Sequence, residues 1–204
     1  MNNFNIINIF PTPIYFSNLE RNFTKKEILF TEQTKNKVRD NDGNVTSIDN
    51  YILNNKCFSQ LKKDLTLKVN DYFNKIICPL EEVKPYITQS WLNYTKKNDY
   101  HHSHEHPNSF VSGVFYFNAD PDVDTITFMK KDYNSILLEI KEYNLFNSKT
   151  WWFPIQTGQL ILFPSSTTHF VSSKQGENLR TSLAFNVFIK GKLGSNKSLT
   201  ELIL

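Results

Sequence analysis

Asp99-Tyr-His-His-Ser-His-Glu-His-Pro-Asn-Ser-Phe-Val-Ser-Gly-Val-Phe-Tyr-Phe117 begins as a polar, histidine-crowded segment and runs directly into an apolar one. Four of the five histidines, His101, His102, His104 and His106, fall in this stretch, and the fifth, His169, stands alone far downstream. Imidazole is the commonest side-chain metal ligand and binds as the neutral ring near physiological pH. A chain so sparing with histidine elsewhere is therefore read as holding a metal ion here. The run is internal, with patterned sequence on both sides, so it is not an expression tag. A merely solvated polar loop is the competing reading. On an extended backbone His102, His104 and His106 would share one face, with His101, Ser103 and Glu105 on the other.

Outward from this stretch, the sequence after Pro85 is a series of short apolar runs separated by turns: 86–94, 110–117, 125–129, 151–155, 159–163, 168–172 and 179–189. Seven or so such strands predict a mainly β architecture, a jelly roll or cupin-like double-stranded β-helix. Before Pro85 the texture is different. Residues 6–16 read as an extended edge broken by Pro11 and Pro13. Thr24 and Glu27 form a capping box that opens a helix to about residue 38. Asn41-Asp-Gly-Asn44 is a turn. Phe58, Leu61, Leu65, Val69, Tyr72, Phe73 and Ile76 recur at helical spacing, with Pro79 as the stop. The expectation is one domain over 1–204, with 1–84 as a helical support region packed outside one sheet and 85–190 as the jelly-roll core.

Bulk composition narrows the function classes. The length of 204 residues suffices for a real core, and 17 Phe and 9 Tyr exclude a disordered chain. A net charge of +3, with lysines scattered in pairs among acids, argues against a nucleic-acid partner. No apolar run is long enough for a membrane span, so no membrane partner is expected. Cys57 and Cys78, the only cysteines, lie in apolar settings and read as buried, unpaired thiols of a reducing, cytoplasmic protein. Oligomeric state leaves no signature.

The distal half adds a second chemistry. Thr157-Gly-Gln-Leu-Ile-Leu-Phe-Pro164 is a turn followed by a strand, then comes His169, and after it Arg180-Thr-Ser182. Arginine is rare in this lysine-preferring chain, and its planar fork suits bidentate capture of a carboxylate, with Ser182 able to add a hydroxyl. Two histidines from one strand and a third from another would leave coordination positions open, the arrangement of non-haem iron oxygenases. A structural zinc site would be closed by four ligands and would favour cysteine.

The segments Phe10-Pro-Thr-Pro13, Ser90-Trp-Leu-Asn93, His104-Glu-His-Pro-Asn-Ser109, Ser112-Gly-Val-Phe-Tyr116, Gly158 to Pro164, His169 and Arg180-Thr-Ser-Leu-Ala-Phe-Asn186 resemble, in order, a family of 2-oxoglutarate/Fe(II)-dependent oxygenases common in marine bacteria and phages. The resemblance is prolyl-hydroxylase-like. It implies a double-stranded β-helix, Fe(II), 2-oxoglutarate and O2. It also implies metal ligation by His104, His106 and His169, and a 2-oxoglutarate clamp at Arg180 assisted by Ser182. Asn93, Tyr116 and Asn186 are candidates to line the cavity and contact 2-oxoglutarate, with a structural role on the barrel strands as the competing reading. The wider superfamily uses His-x-Asp or His-x-Glu where this chain has His104-x-His106. Either three histidines hold the ion, or an acid such as Glu105, Asp99 or Asp120 completes the shell. The expected activity is a dioxygenase, a hydroxylase of a small-molecule or peptidyl substrate. The alternatives are a three-histidine cupin dioxygenase or isomerase independent of 2-oxoglutarate, and a metal-stapled binding module without catalysis. Trp91, Trp151 and Trp152 are candidates for an aromatic substrate wall, and the insertion 130–148 for a lid.

Overall fold

Strand alternation sorts the side chains of this protein into two sets, one packed under helices and one turned into a barrel. The computed structural model describes residues 4–80, 82–131, 136 and 138–204. Its elements are β1 (Tyr15–Asn18), α1 (Lys25–Thr34), β2 (Val38–Asp40), β3 (Val45–Ser47), α2 (Ser59–Tyr72), β4 (Val83–Thr95), β5 (His101–His104), β6 (Val111–Asn118), β7 (Thr125–Met129), β8 (Thr150–Pro154), β9 (Gln159–Pro164), β10 (His169–Val171), β11 (Arg180–Leu193) and β12 (Leu202–Ile203). The larger sheet runs β1-β9-β6-β11-β4-β3-β2, with β12 on β11, and the smaller runs β5-β10-β7-β8. All paired strands are antiparallel. This is the double-stranded β-helix expected, with all seven sequence-predicted strands present.

One face of the larger sheet carries Leu92, Phe115, Leu160, Leu162, Leu183, Phe185 and Val187, which pack with Phe58, Leu61, Leu65, Val69 and Tyr72 from around α2. That face buries the apolar stripe that defines the helix. The opposite parity turns between the sheets, where Tyr116, Ile161 and Phe163 meet Ile126, Phe128 and Ile155. The same inward parity on β4 and β11 carries Asn93, Arg180 and Ser182, so the strand that builds the helix-side core also aims polar groups into the barrel.

Close packing at one cross-strand pair is sequence-specific. Gly113 is paired with Phe185, and a Cβ at Gly113 would lie 2.2 Å from the phenyl ring. Gly113→Ala is expected to lower stability by about 1–3 kcal/mol through overpacking, read as a lower denaturation midpoint in urea. An unchanged midpoint would show that the ring moves freely.

Several local expectations are corrected. The capping box at Thr24 is present, but α1 stops at Thr34 because Lys35 to Lys37 turn the chain into β2. The predicted extended segment becomes a strand only from Tyr15 onward. Asn41-Asp-Gly-Asn44 closes a β2–β3 hairpin with φ of 40° at Asp42 and 102° at Gly43, the positive-φ pair that Asp-Gly favours in two-residue hairpins. The histidine segment itself forms the strand β5. Cys57 is half-buried and Cys78 exposed rather than buried, and both are free. The insertion 130–148 lies partly outside the described residues, and so does its reading as a lid. No helix among the described residues is long and apolar enough to cross a membrane.

Candidate active site

β5 and β10 are neighbours in the smaller sheet, and their pairing sets His104 opposite His169. His106 lies two residues beyond the end of β5, where its backbone N–H donates to the Ser165 carbonyl at 3.0 Å. The three rings converge, with centroids 4.3 Å apart for His104 and His169, 5.1 Å for His106 and His169, and 5.0 Å for His104 and His106. One nitrogen of each lies within 4.8 Å of the others.

The hydrogen bonds choose the tautomers. His104 Nδ1 lies 2.8 Å from the His102 carbonyl and His169 Nδ1 3.0 Å from the Thr167 carbonyl. A carbonyl only accepts, so each Nδ1 carries the proton and each Nε2 offers its lone pair, the arrangement by which second partners orient ligating histidines. Burial and the neighbouring imidazoles lower the pKa values, to about 3 at His169 and about 4 at His106, with that of His104 lowered as well. The three rings are therefore neutral and ready to bind a cation at pH 7.

His101 breaks the parity expected from sequence. Two steps on β10, His169 to Val171, oppose three on β5, His104 to His101. This β-bulge restores His101 to the side of His104, where the two rings stack at 4.5 Å. His101 Nε2 is 3.2 Å from Asn41 Nδ2, and burial pushes its pKa down to about 2. His102 approaches Asp42 at 3.8 Å and also forms, with His101 and His104, a second group of histidine nitrogens within 4.8 Å of one another.

The acids considered as substitutes for His106 are engaged elsewhere. Glu105 takes hydrogen bonds from Thr168 Oγ1 and Lys131 Nζ, both at 2.7 Å. Asp99 accepts from the Lys96 N–H and Asp120 from the Asp122 N–H. Among the described residues, the groups able to hold a metal consist of histidines alone.

Behind the histidines a narrow cavity of about 40 Å³ is lined by Asn93, Tyr116, Arg180 and Ser182 as well as the imidazoles. Ser182 is paired with Asn93 on β4 and with Tyr116 on β6, so the three form one row across adjacent strands. Arg180 is 3 % exposed; its Nη1 donates to the Thr125 carbonyl at 3.2 Å, and its Nε has no partner. Asn93 Oδ1 is likewise buried without a partner. Asp124, whose field reaches Arg180, is itself paired with buried Lys174 at 3.5 Å. A buried guanidinium without a protein carboxylate is costly unless an anion completes it, so the chemistry of Arg180 calls for an anionic group such as a carboxylate. Asn186 does not join the lining; its Oδ1 accepts from Ser112 Oγ at 3.4 Å. Of the tryptophans only Trp91 reaches the cavity, while Trp152 is 61 % exposed on the outer surface.

A family model described as "Putative 2OG-Fe(II) oxygenase" matches residues 89–186, from β4 to β11, a span that holds every histidine and Arg180. These residues form a 2-oxoglutarate/Fe(II) oxygenase domain. The oxygenase uses Fe(II), 2-oxoglutarate and O2, as its family does. Its fold is similar to that of solved structures of low sequence identity. One is HygX from Streptomyces hygroscopicus with nickel, 2-oxoglutarate and hygromycin B bound (12 % identity, TM-score 0.58, covering 86 % of this chain and 82 % of that one). Another is a prolyl hydroxylase from Trichoplax adhaerens in complex with a hypoxia inducible factor peptide fragment (13 %, 0.58, 86 % and 83 %). A third is a Pseudomonas putida prolyl-4-hydroxylase (13 %, 0.56, 86 % and 92 %). No curated protein matches the oxygenase in sequence.

Proposed function

We propose that this oxygenase is a hydroxylase in which His104, His106 and His169 hold Fe(II) and Arg180 anchors the distal carboxylate of 2-oxoglutarate. The carrying observation is a buried, carboxylate-free guanidinium in the same cavity as three convergent imidazoles, two of them with their tautomer fixed by a backbone carbonyl. The bound metal, co-substrate and O2 supply the oxidising chemistry; the protein positions them and excludes water. Ser182, Asn93 and Tyr116 form the polar row beside the carboxylate, and the cation–π approach of Arg180 to the Tyr116 ring, 6.0 Å, helps fix the fork. Phe163, packed against His169 at 4.7 Å, closes the inner wall. A cupin activity independent of 2-oxoglutarate leaves Arg180 without a role.

Neutral imidazole at position 106 gives the metal shell no negative charge, so the co-substrate supplies it. The substrate is a small molecule or a peptidyl group, as for the similar structures above. The proposal places 1–84 as support for the 85–190 core of one domain, in a reducing cytoplasm consistent with two free thiols.

The test is anaerobic titration with Fe(II) and 2-oxoglutarate, watching for the visible absorption band of their chelate. The band is expected at one equivalent; its absence from correctly folded, iron-loaded protein would remove the assignment. His106→Asp is expected to keep iron and 2-oxoglutarate, and His106→Ala to lose metal affinity by roughly tenfold or more. Equal iron affinity in His106→Ala and the parent would exclude His106 from the shell.

A further inference from the structure

The oxygenase has three arginines, Arg21, Arg39 and Arg180. Arg21 is structural, paired with Glu27 and, at 3.5 Å, with Asp64. The other two have no carboxylate partner among the described residues, and they line two different pockets that share Trp91 and the rings of His101, His104 and His106. Arg180 is in the inner cavity. Arg39 lines an outer mouth of about 240 Å³ together with Asn50, Gln89, Trp91 and the rings of His101, His102, His104 and His106.

The hairpin that carries Arg39 is clamped over the histidine strand. The Tyr100 N–H donates to the Gly43 carbonyl at 2.9 Å, and the Tyr100 hydroxyl donates to Asp42 at 3.1 Å. Tyr100 also covers Gly43 so closely that a Cβ there would sit 2.6 Å from the ring. Asn41 reaches His101 from the same turn. Arg39 is thus held above the metal ligands, where Nη2 donates to Asn50 Oδ1 at 3.2 Å and the remaining N–H groups stay available. Among the described residues, no acid lines this mouth. Asp49, the acid nearest in sequence to Asn50, is occupied by the Tyr51 N–H and Asn55 Nδ2.

We propose that the outer mouth is the substrate site and that Arg39 recognises an oxyanion on the substrate, a carboxylate or a phosphate. This rests on the oxygenase reading above. Asn50 and Gln89 add amide groups for polar atoms next to that anion, and Trp91, its ring 5.7 Å from that of His106, gives the carbon skeleton an apolar wall beside the metal. Two fork-shaped cations thereby sort two anions: the inner takes the co-substrate and the outer takes the substrate.

The experiment is saturation-transfer NMR on Zn(II)-loaded protein, comparing the parent with Arg39→Gln and Arg180→Gln. The probes are 2-oxoglutarate, N-acetylalanine, glycerol phosphate and, as the neutral control, N-acetylalanine amide. With 2-oxoglutarate present, the parent is expected to bind N-acetylalanine or glycerol phosphate at least about tenfold more tightly than the amide, and whichever binds names the oxyanion. Arg39→Gln is expected to lose that preference and keep 2-oxoglutarate. Arg180→Gln is expected to lose 2-oxoglutarate and keep the anion at the mouth. Equal binding of the amide, or an unchanged preference in Arg39→Gln, overturns the substrate proposal alone. Retention of 2-oxoglutarate by Arg180→Gln overturns the co-substrate assignment alone.

Discussion

His169→Ala should leave a folded protein that no longer retains a divalent metal. His169 is the best-buried of the three candidate ligands at 8 % exposure, and its orientation is fixed by the Thr167 carbonyl on one side and the Phe163 ring on the other. Removing it takes away one of three donors, so the loss of affinity should exceed the roughly 10- to 100-fold typical of mutating a ligand's hydrogen-bonding partner. Metal analysis after dialysis measures occupancy, and circular dichroism verifies the fold. A second readout is the metal-dependent rise in Tm, which scales with ligand concentration over Kd and should vanish in the variant. Full occupancy in folded His169→Ala would place the ion elsewhere.

Arg180→Lys should weaken 2-oxoglutarate by about 1.5–3 kcal/mol, the worth of a hydrogen bond to a charged group, or roughly 10- to 150-fold in Kd. Lysine keeps the charge and loses the fork. Arg180→Ala should cost at least as much while relieving the protein of an uncompensated buried cation, so the apo form should be no less stable. Calorimetric titration of 2-oxoglutarate into metal-loaded protein measures the first effect and thermal denaturation of the apo form the second. Undiminished affinity in both variants would put the clamp elsewhere.

Much of this was legible in the chain because long strands announce themselves by composition. The apolar run at 125–129 coincides with β7, and the others match their strands to within a few residues at each end. The short elements escaped. β2 and β3 are three residues each and exist through pairing with one another and with β4, which no local pattern reveals. β5 has no apolar alternation at all; its backbone pairing comes from β10. At the site, residue types were readable while geometry was not. His104, His106, His169, Arg180, Ser182, Asn93 and Tyr116 are brought to one cavity, but strand parity misplaced His101 because a bulge is a tertiary feature. Arg39 carried the same signal as Arg180, a rare arginine among lysines, and needed the hairpin's position to acquire meaning.

The outer mouth is bordered by a margin of each sheet: β5 ends the smaller one, and the β2–β3 hairpin ends the larger. The inner cavity instead draws Arg180, Ser182, Asn93 and Tyr116 from three adjacent strands in the middle of the larger sheet. Amide protons on those central strands should exchange with solvent far more slowly than those on the hairpin, since sheet interiors open only with global unfolding. Inheritance can exploit the same contrast. A hairpin at a margin tolerates lengthening, shortening and new side chains without disturbing the strands behind it, so descendants of this fold can change what they oxidise while conserving how they oxidise it.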